Sequence, residues 1–184
     1  MSVKFKIIED NKRFLERRIR RLLELKKVTK ESLKIGVPSS KDMHTQKRDK
    51  DGNIIVDDNA TVSILQVAAV NEFGSSDGRI PERSFLRSTI SKNKDKYKEL
   101  GVKITKKLVD NPSKSLYKNL LGKLGLIAVQ DVQKTIVELS EPENAESTQL
   151  KKGRSLGKGK KVDNPLIDTG QLRQSITYII DSKR

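Results

Sequence analysis

The chain has 184 residues, with 39 Lys and Arg against 24 Asp and Glu, a formal net charge of +15, one His and no Cys. That length suits a single domain, residues 1–184, with an extra arm or loop, and 34% hydrophobic against 34% charged residues leaves material for only a thin core. The lack of Cys excludes disulfide frameworks, thiolate zinc sites and Cys nucleophiles, the lone His44 excludes a paired-His metal site, and no run nears the ~20 apolar residues of a membrane span, so a soluble, intracellularly made chain is expected.

Residues 8–28 carry Phe14, Leu15, Ile19, Leu22 and Leu23 at helical spacing between Arg and Lys, which predicts an amphipathic helix with one narrow apolar stripe. Its basic outer face reads as a solvated surface before it reads as a nucleic-acid-binding one. Ser32 to Val37 alternates apolar and polar and stops at Pro38, a short strand. Residues 39–58 contain Asp51-Gly52 followed by Ile54, Ile55 and Val56, which predicts a protruding hairpin. His44 lies in that loop with no second ligand nearby.

Thr61 to Val70 is expected to form a short helix capped by Asn59 or Thr61, closed at Phe73-Gly74 and burying Ile64, Leu65, Ala68 and Ala69. Ile80-Pro81 then forces an extended entry into the next element. Ser84 to Asp110 places Leu86, Ile90, Tyr97, Leu100, Ile104 and Leu108 on one seam, a long helix ended by Asn111-Pro112. A second helix starts after Ser113 or Ser115 and runs to Leu139, with Gly122 and Gly125 allowing close approach, so residues 84–139 read as a helical hairpin.

Residues 140–164 are acidic at EPENAES and then basic at KKGRSLGKGKK, where Lys151, Lys152, Arg154, Lys158, Lys160 and Lys161 stand without an acid. Such a stretch cannot bury a core and is expected to be a flexible basic arm. Order returns in residues 165–181, where Asp168 can cap a helical turn and Ser175 to Ile180 alternates as a strand. The fold class expected is α+β: a small antiparallel sheet, a long helical hairpin, a protruding hairpin loop and the arm.

Few motifs carry chemistry. Asp168-Thr169-Gly170 has the form of an aspartic-protease triplet, but that reaction needs two carboxylates sharing a proton, and too few residues follow Gly170 to build the rest of such a subunit. Capping by Asp168 accounts for the same residues. The basic tract could neutralise phosphates, yet with 4% aromatics and no Trp the chain lacks stacking platforms, leaving non-specific electrostatic contact with DNA or an acidic neighbour. GRSLGKGKK has neither the spacing nor the flanking strand of a phosphate-binding loop. No catalytic, cofactor-binding or metal-ligating set is expected.

Two segments together carry a resemblance. VAAVNEFGSSDGRIPERSFLRSTI, from Val67 to Ile90, resembles the A-x-x-x-E-F-G … I-P-x-R-x-F-L-R signature, and NPLIDTGQLRQSITYII, from Asn164 to Ile180, resembles the P-L-x-D-T-G-x-L-x-x-S-I signature, of tailed-bacteriophage neck and tail-completion proteins. The matching positions are Asn71, Glu72, Phe73, Gly74, Pro81, Arg83, Phe85, Leu86 and Arg87 in the first, and Asp168, Thr169, Gly170, Leu172, Ser175 and Ile176 in the second. They stand in the family's order on either side of a variable helical middle.

The resemblance implies a virion structural protein of α+β fold, made in the host bacterial cytoplasm and assembled as a homo-oligomer, a hexameric ring between head connector or portal-side proteins and tail-tube or tail-terminator proteins. It implies a structural signature and no active site, cofactor or membrane contact. Phe73, Phe85 and Leu86 are expected to anchor the helix crossing, with Glu72, Arg83 and Arg87 as candidates for fold-fixing ion pairs. A thin core with a protruding hairpin and an arm agrees with a ring subunit, because such parts gain their contacts from adjacent copies. The alternative is a non-specific nucleic-acid-binding module using the basic segments.

Overall fold

The computed structural model describes residues 3–39, 46–48, 54–56, 63–146, 148–150, 164–167 and 170–182. It is 65% helical with small strand pairs, an α+β fold. In chain order the elements are α1 (Val3–Val28), β1 (Glu31–Gly36), β2 (Gln46–Arg48), β3 (Ile54–Val56), α2 (Ile64–Phe73), α3 (Leu86–Lys92), α4 (Lys94–Asp110), α5 (Lys114–Glu138), α6 (Gln171–Ser175) and β4 (Thr177–Ser182). β1 pairs with β4, and β2 pairs antiparallel with β3 in the register Gln46 to Val56, Lys47 to Ile55 and Arg48 to Ile54. The β2–β3 pair is the hairpin expected over 39–58; its Asp51-Gly52 turn and His44 lie outside the described residues, as does the tract from Lys151 to Lys161.

The residues group into two compact units. The first comprises Met1–Lys34, Asp95–Leu124 and Ile179–Arg184. Leu108 of α4 and Leu121 of α5 are buried there. Lys34 Nζ reaches the Asp181 carboxylate at 2.6 Å, and the Ser32 hydroxyl donates to the Asp181 carbonyl at 3.4 Å, which ties β1 to β4. The Glu31 carboxylate is buried with Lys118 Nζ at 3.3 Å and Lys114 Nζ at 3.8 Å, while the Tyr117 hydroxyl donates to the Glu31 carbonyl at 3.1 Å. Successive turns of α5 thus hold the start of β1. Burial and the Glu31 charge together raise the Tyr117 pKa above its ordinary value.

The second unit comprises Ile35–Lys94 and Gly125–Tyr178 and holds the larger core. Ile64 and Ala68 of α2, Phe85, Val132 and Ile136 of α5, Leu166, and Leu172 and Ile176 around α6 form one buried cluster, with Leu86, Val129 and Leu139 packed against it. Gly125 lets α5 approach Tyr178: a Cβ built there would lie 2.6 Å from the ring. Inside this core the Thr89 and Thr135 hydroxyls meet at 2.7 Å, so the fully buried Thr89 is satisfied.

Several expectations need correction. The long helix from Ser84 to Asp110 is two helices, broken at Asn93. The Asn93 N–H still makes the helical bond to the Thr89 carbonyl at 3.0 Å, and its side-chain amide adds a second donor to the same carbonyl at 3.0 Å. Ile90, placed on the seam, is 39% exposed. α2 begins later than expected, because Ser63, not Asn59 or Thr61, makes the capping box: its hydroxyl accepts from Gln66 N–H at 3.2 Å and its own N–H donates to Gln66 Oε1 at 2.7 Å. Of the four residues it was to bury, Ile64 and Ala68 are buried while Leu65 and Ala69 are exposed. α6 has Gly170 at its N-cap, at φ +81°, with no side-chain cap bond; Asp168 and Thr169 lie outside the described residues. Pro142 and Glu143, assigned to the flexible arm, are held through their carbonyls by Arg83.

Candidate functional site

The first signature segment folds into a closed polar knot at the N-terminus of α3. Glu72, near the end of α2, is only 4% exposed. Its carboxylate accepts from Leu86 N–H at 2.8 Å, from Arg87 N–H at 2.9 Å, from the Ser84 hydroxyl at 2.9 Å and from Arg87 Nε at 3.0 Å. It therefore takes the place of an N-cap side chain for α3, whose own N-cap residue, Phe85, has none to offer. Burial works to raise the carboxyl's pKa, but the two backbone N–H bonds, the Arg87 guanidinium and the Ser84 hydroxyl outweigh it and hold Glu72 below the ordinary carboxylate range.

Arg87 closes the knot from outside. Its guanidinium also donates to the Glu72 carbonyl and to Glu82 Oε1, each at 2.8 Å, and lies over the Phe73 ring at 4.7 Å from the centroid. The hydrogen bond to Glu72 comes first among the causes that raise its pKa. Phe73 is 64% exposed, so it is a platform for Arg87 and not the buried anchor expected from the sequence. Phe85 does anchor the core at 2% exposure, and Leu86 packs beside it.

Among the described residues Arg83 makes no ion pair. Its buried guanidinium donates from Nε to the Pro142 carbonyl and from Nη2 to the Glu143 carbonyl, both at 2.7 Å, and burial lowers its pKa. The expected trio of fold-fixing ion pairs is one carboxylate–guanidinium pair plus one guanidinium clamping backbone. The turn between α2 and this segment is set by Gly74 at φ +79°, where a Cβ would stand 3.2 Å from the Ile80 carbonyl oxygen and the Glu82 nitrogen. Asn71 adds the backbone bond from Arg83 N–H to its carbonyl at 2.7 Å, and Pro81 lies in the extended stretch between them.

The second signature segment enters the same core. Leu172, Ser175 and Ile176 are buried, and the Ser175 hydroxyl donates to the Leu172 carbonyl at 2.8 Å. Asn164 joins this segment to the end of α5: its amide nitrogen donates to the Ile136 and Val137 carbonyls, both at 2.7 Å, and its oxygen accepts from Leu166 and Ile167 N–H. Sequence reasoning passed over Asn164 as a site residue, although its Asn-Pro dipeptide was the signal of a turn. It passed over Ser63 as well, although the Ser63–Gln66 spacing is a capping box in the sequence.

Chemically the knot is a strut. Every Glu72 contact described is a donor that holds the carboxylate charged, which suits it to fixing an angle between α2 and α3 more than to passing a proton. Among the described residues no group of three His, Cys, Asp or Glu side chains comes together to hold a metal ion, and no helix is long and apolar enough to cross a membrane. No protein-family profile, curated protein or solved structure matches the chain.

Proposed function

We propose that the protein is a structural virion component of a tailed bacteriophage, a subunit of the ring that completes the tail or joins it to the head. The reading also takes in its partners: further copies of itself, six to a ring, with connector-side proteins on one face and tail-tube or terminator proteins on the other. The observation that supports it most is the meeting of the two signature segments in one core. Phe85 from the first and Leu166, Leu172 and Ile176 from the second belong to the same buried cluster, although about 80 residues separate them. The first segment spends its polar residues on a rigid joint, which suits a part that must keep its shape while neighbours bind. Its mechanism is ordering on assembly, in which hairpin and arm take fixed positions against adjacent subunits and make joining irreversible.

Electron microscopy of lysates from a phage carrying a null allele tests this directly. DNA-filled heads beside unattached tails are expected for a junction protein, and tails of irregular length for one that completes the tube. Intact infectious virions would overturn the assembly reading. A second reading, non-specific nucleic-acid binding, is favoured by one observation: Arg13, Arg17, Arg20, Arg21 and Lys27 are all exposed along α1.

A further inference from the structure

From Lys12 to Glu24 every side chain of α1 is exposed, on the apolar face as well as the basic one; in the stretch from Lys12 to Val28 Leu25 and Val28 alone are half-buried. Leu15, Ile19, Leu22 and Leu23 are 55–61% exposed and fall at spacings of four, three and one, a continuous stripe. Packing of an apolar face is what stabilises most helices, and a stripe of this length left in water marks an interaction surface.

The arrangement of charge around the stripe identifies what covers it. With Leu15 and Leu22 at heptad position d, Ile19 takes position a, and Lys12 and Lys26 take the a positions one turn group before and after. Arg13, Arg17, Arg20, Arg21 and Lys27 then all fall at b, c or f, facing away from the seam. At the flanking positions Glu16 and Leu23 occupy e, while Arg18 and Leu25 occupy g. In a parallel pair g meets the following e of the other helix, so Arg18 lies beside Leu23 of the second copy and no two cations meet across the rim. A helix carrying ten basic residues against four acidic thus leaves the Leu15–Ile19–Leu22 stretch of this seam free of cations, with Lys12 and Lys26 standing in it only at the two ends.

We propose that α1 is a self-association element, its Leu15–Ile19–Leu22–Leu23 stripe docking on the same stripe of further copies in a parallel coiled coil. This deepens the ring reading and rests on it for orientation, since cyclic symmetry makes equivalent helices that meet at the axis parallel. DNA would take up the basic face and leave the stripe in water. An anionic bilayer would have to accept the Glu16 carboxylate at the stripe's border. Lys12 and Lys26 at position a hold the association below its full strength, because like charges face one another there.

Sedimentation velocity of the full-length chain at increasing concentration is the test. The wild type is expected to associate, Leu15→Lys/Leu22→Lys to remain monomeric, and Lys12→Ile to tighten association by about tenfold. The chain has no Cys of its own, so Lys12→Cys should form a disulfide between copies under mild oxidation while Arg13→Cys should not. That readout needs no change in stability. A monomeric wild type, association unaffected by the two Leu→Lys changes, or equal crosslinking at 12 and 13 would each overturn the proposal. So would a monomeric wild type that co-sediments with vesicles of phosphatidylglycerol and phosphatidylcholine through the same leucines. If null-allele virions are intact while the stripe variants still abolish association, the ring reading fails and α1 self-association stands.

Discussion

At the scale of single residues, Glu72 carries the most. Its folded pKa lies below the ordinary value of 4.5, so the stabilisation it brings is fully present above that value and is lost as pH falls through the lower folded pKa. Glu72→Gln should cost about 1.5–3 kcal/mol at neutral pH, the range for hydrogen bonds to a charged group. The gap in melting temperature between wild type and variant should then close on acidification; a gap constant down to acid pH would detach the charge from the effect. Phe85→Ala leaves a cavity in the larger core and should cost about 3–5 kcal/mol in chemical denaturation; an unchanged midpoint would remove Phe85 from the core. Gly125→Ala drives a methyl group into the Tyr178 ring and should cost about 1–3 kcal/mol, with Tyr178→Leu restoring part of the loss. If Gly125→Ala melts like the wild type, the close approach is not there.

At the scale of elements, capping decides boundaries that periodicity leaves open. Ser63→Ala should cost about 1 kcal/mol, because it opens a box in which both partners are satisfied; no loss on thermal melting would return the start of α2 to Asn59 or Thr61. The apolar seam of α5 was legible, since Leu121, Ala128, Val132 and Ile136 are all buried, and so was the role of Gly74 in closing α2. The break at Asn93 was not legible, because the apolar spacing runs through it undisturbed and an Asn side chain that adds a second donor to the Thr89 carbonyl leaves no mark on periodicity. Phe73 misled for a related reason. Aromatic residues within a signature invite burial, but a guanidinium can occupy the ring face and leave the residue in solvent. Arg83 was legible as important and illegible in kind, as its partners are carbonyls about 60 residues away, and backbone acceptors leave no mark on a sequence.

At the scale of the whole molecule, the charge of +15 sets a field that any anionic partner meets. If nucleic acid is that partner, its affinity should fall with salt at a logarithmic slope of about −0.9 for each phosphate neutralised on duplex DNA. Neutralising Lys151, Lys152, Arg154, Lys158, Lys160 and Lys161 together should flatten that slope, as read by fluorescence anisotropy across a salt series. A slope left unchanged would take those six residues out of the contact. The bond between Lys34 and Asp181 has a different consequence, in the time taken to make the protein. Its ends are 147 residues apart in the chain, so at synthesis rates of 5–20 residues per second β1 waits roughly 7–30 s before the ribosome delivers the strand that pairs with it. Through that interval β1 is an open edge able to accept any strand that comes near. The charged side chains of Glu31 and Lys34 on that short strand are the kind of guard that keeps a nascent edge from joining another polypeptide first.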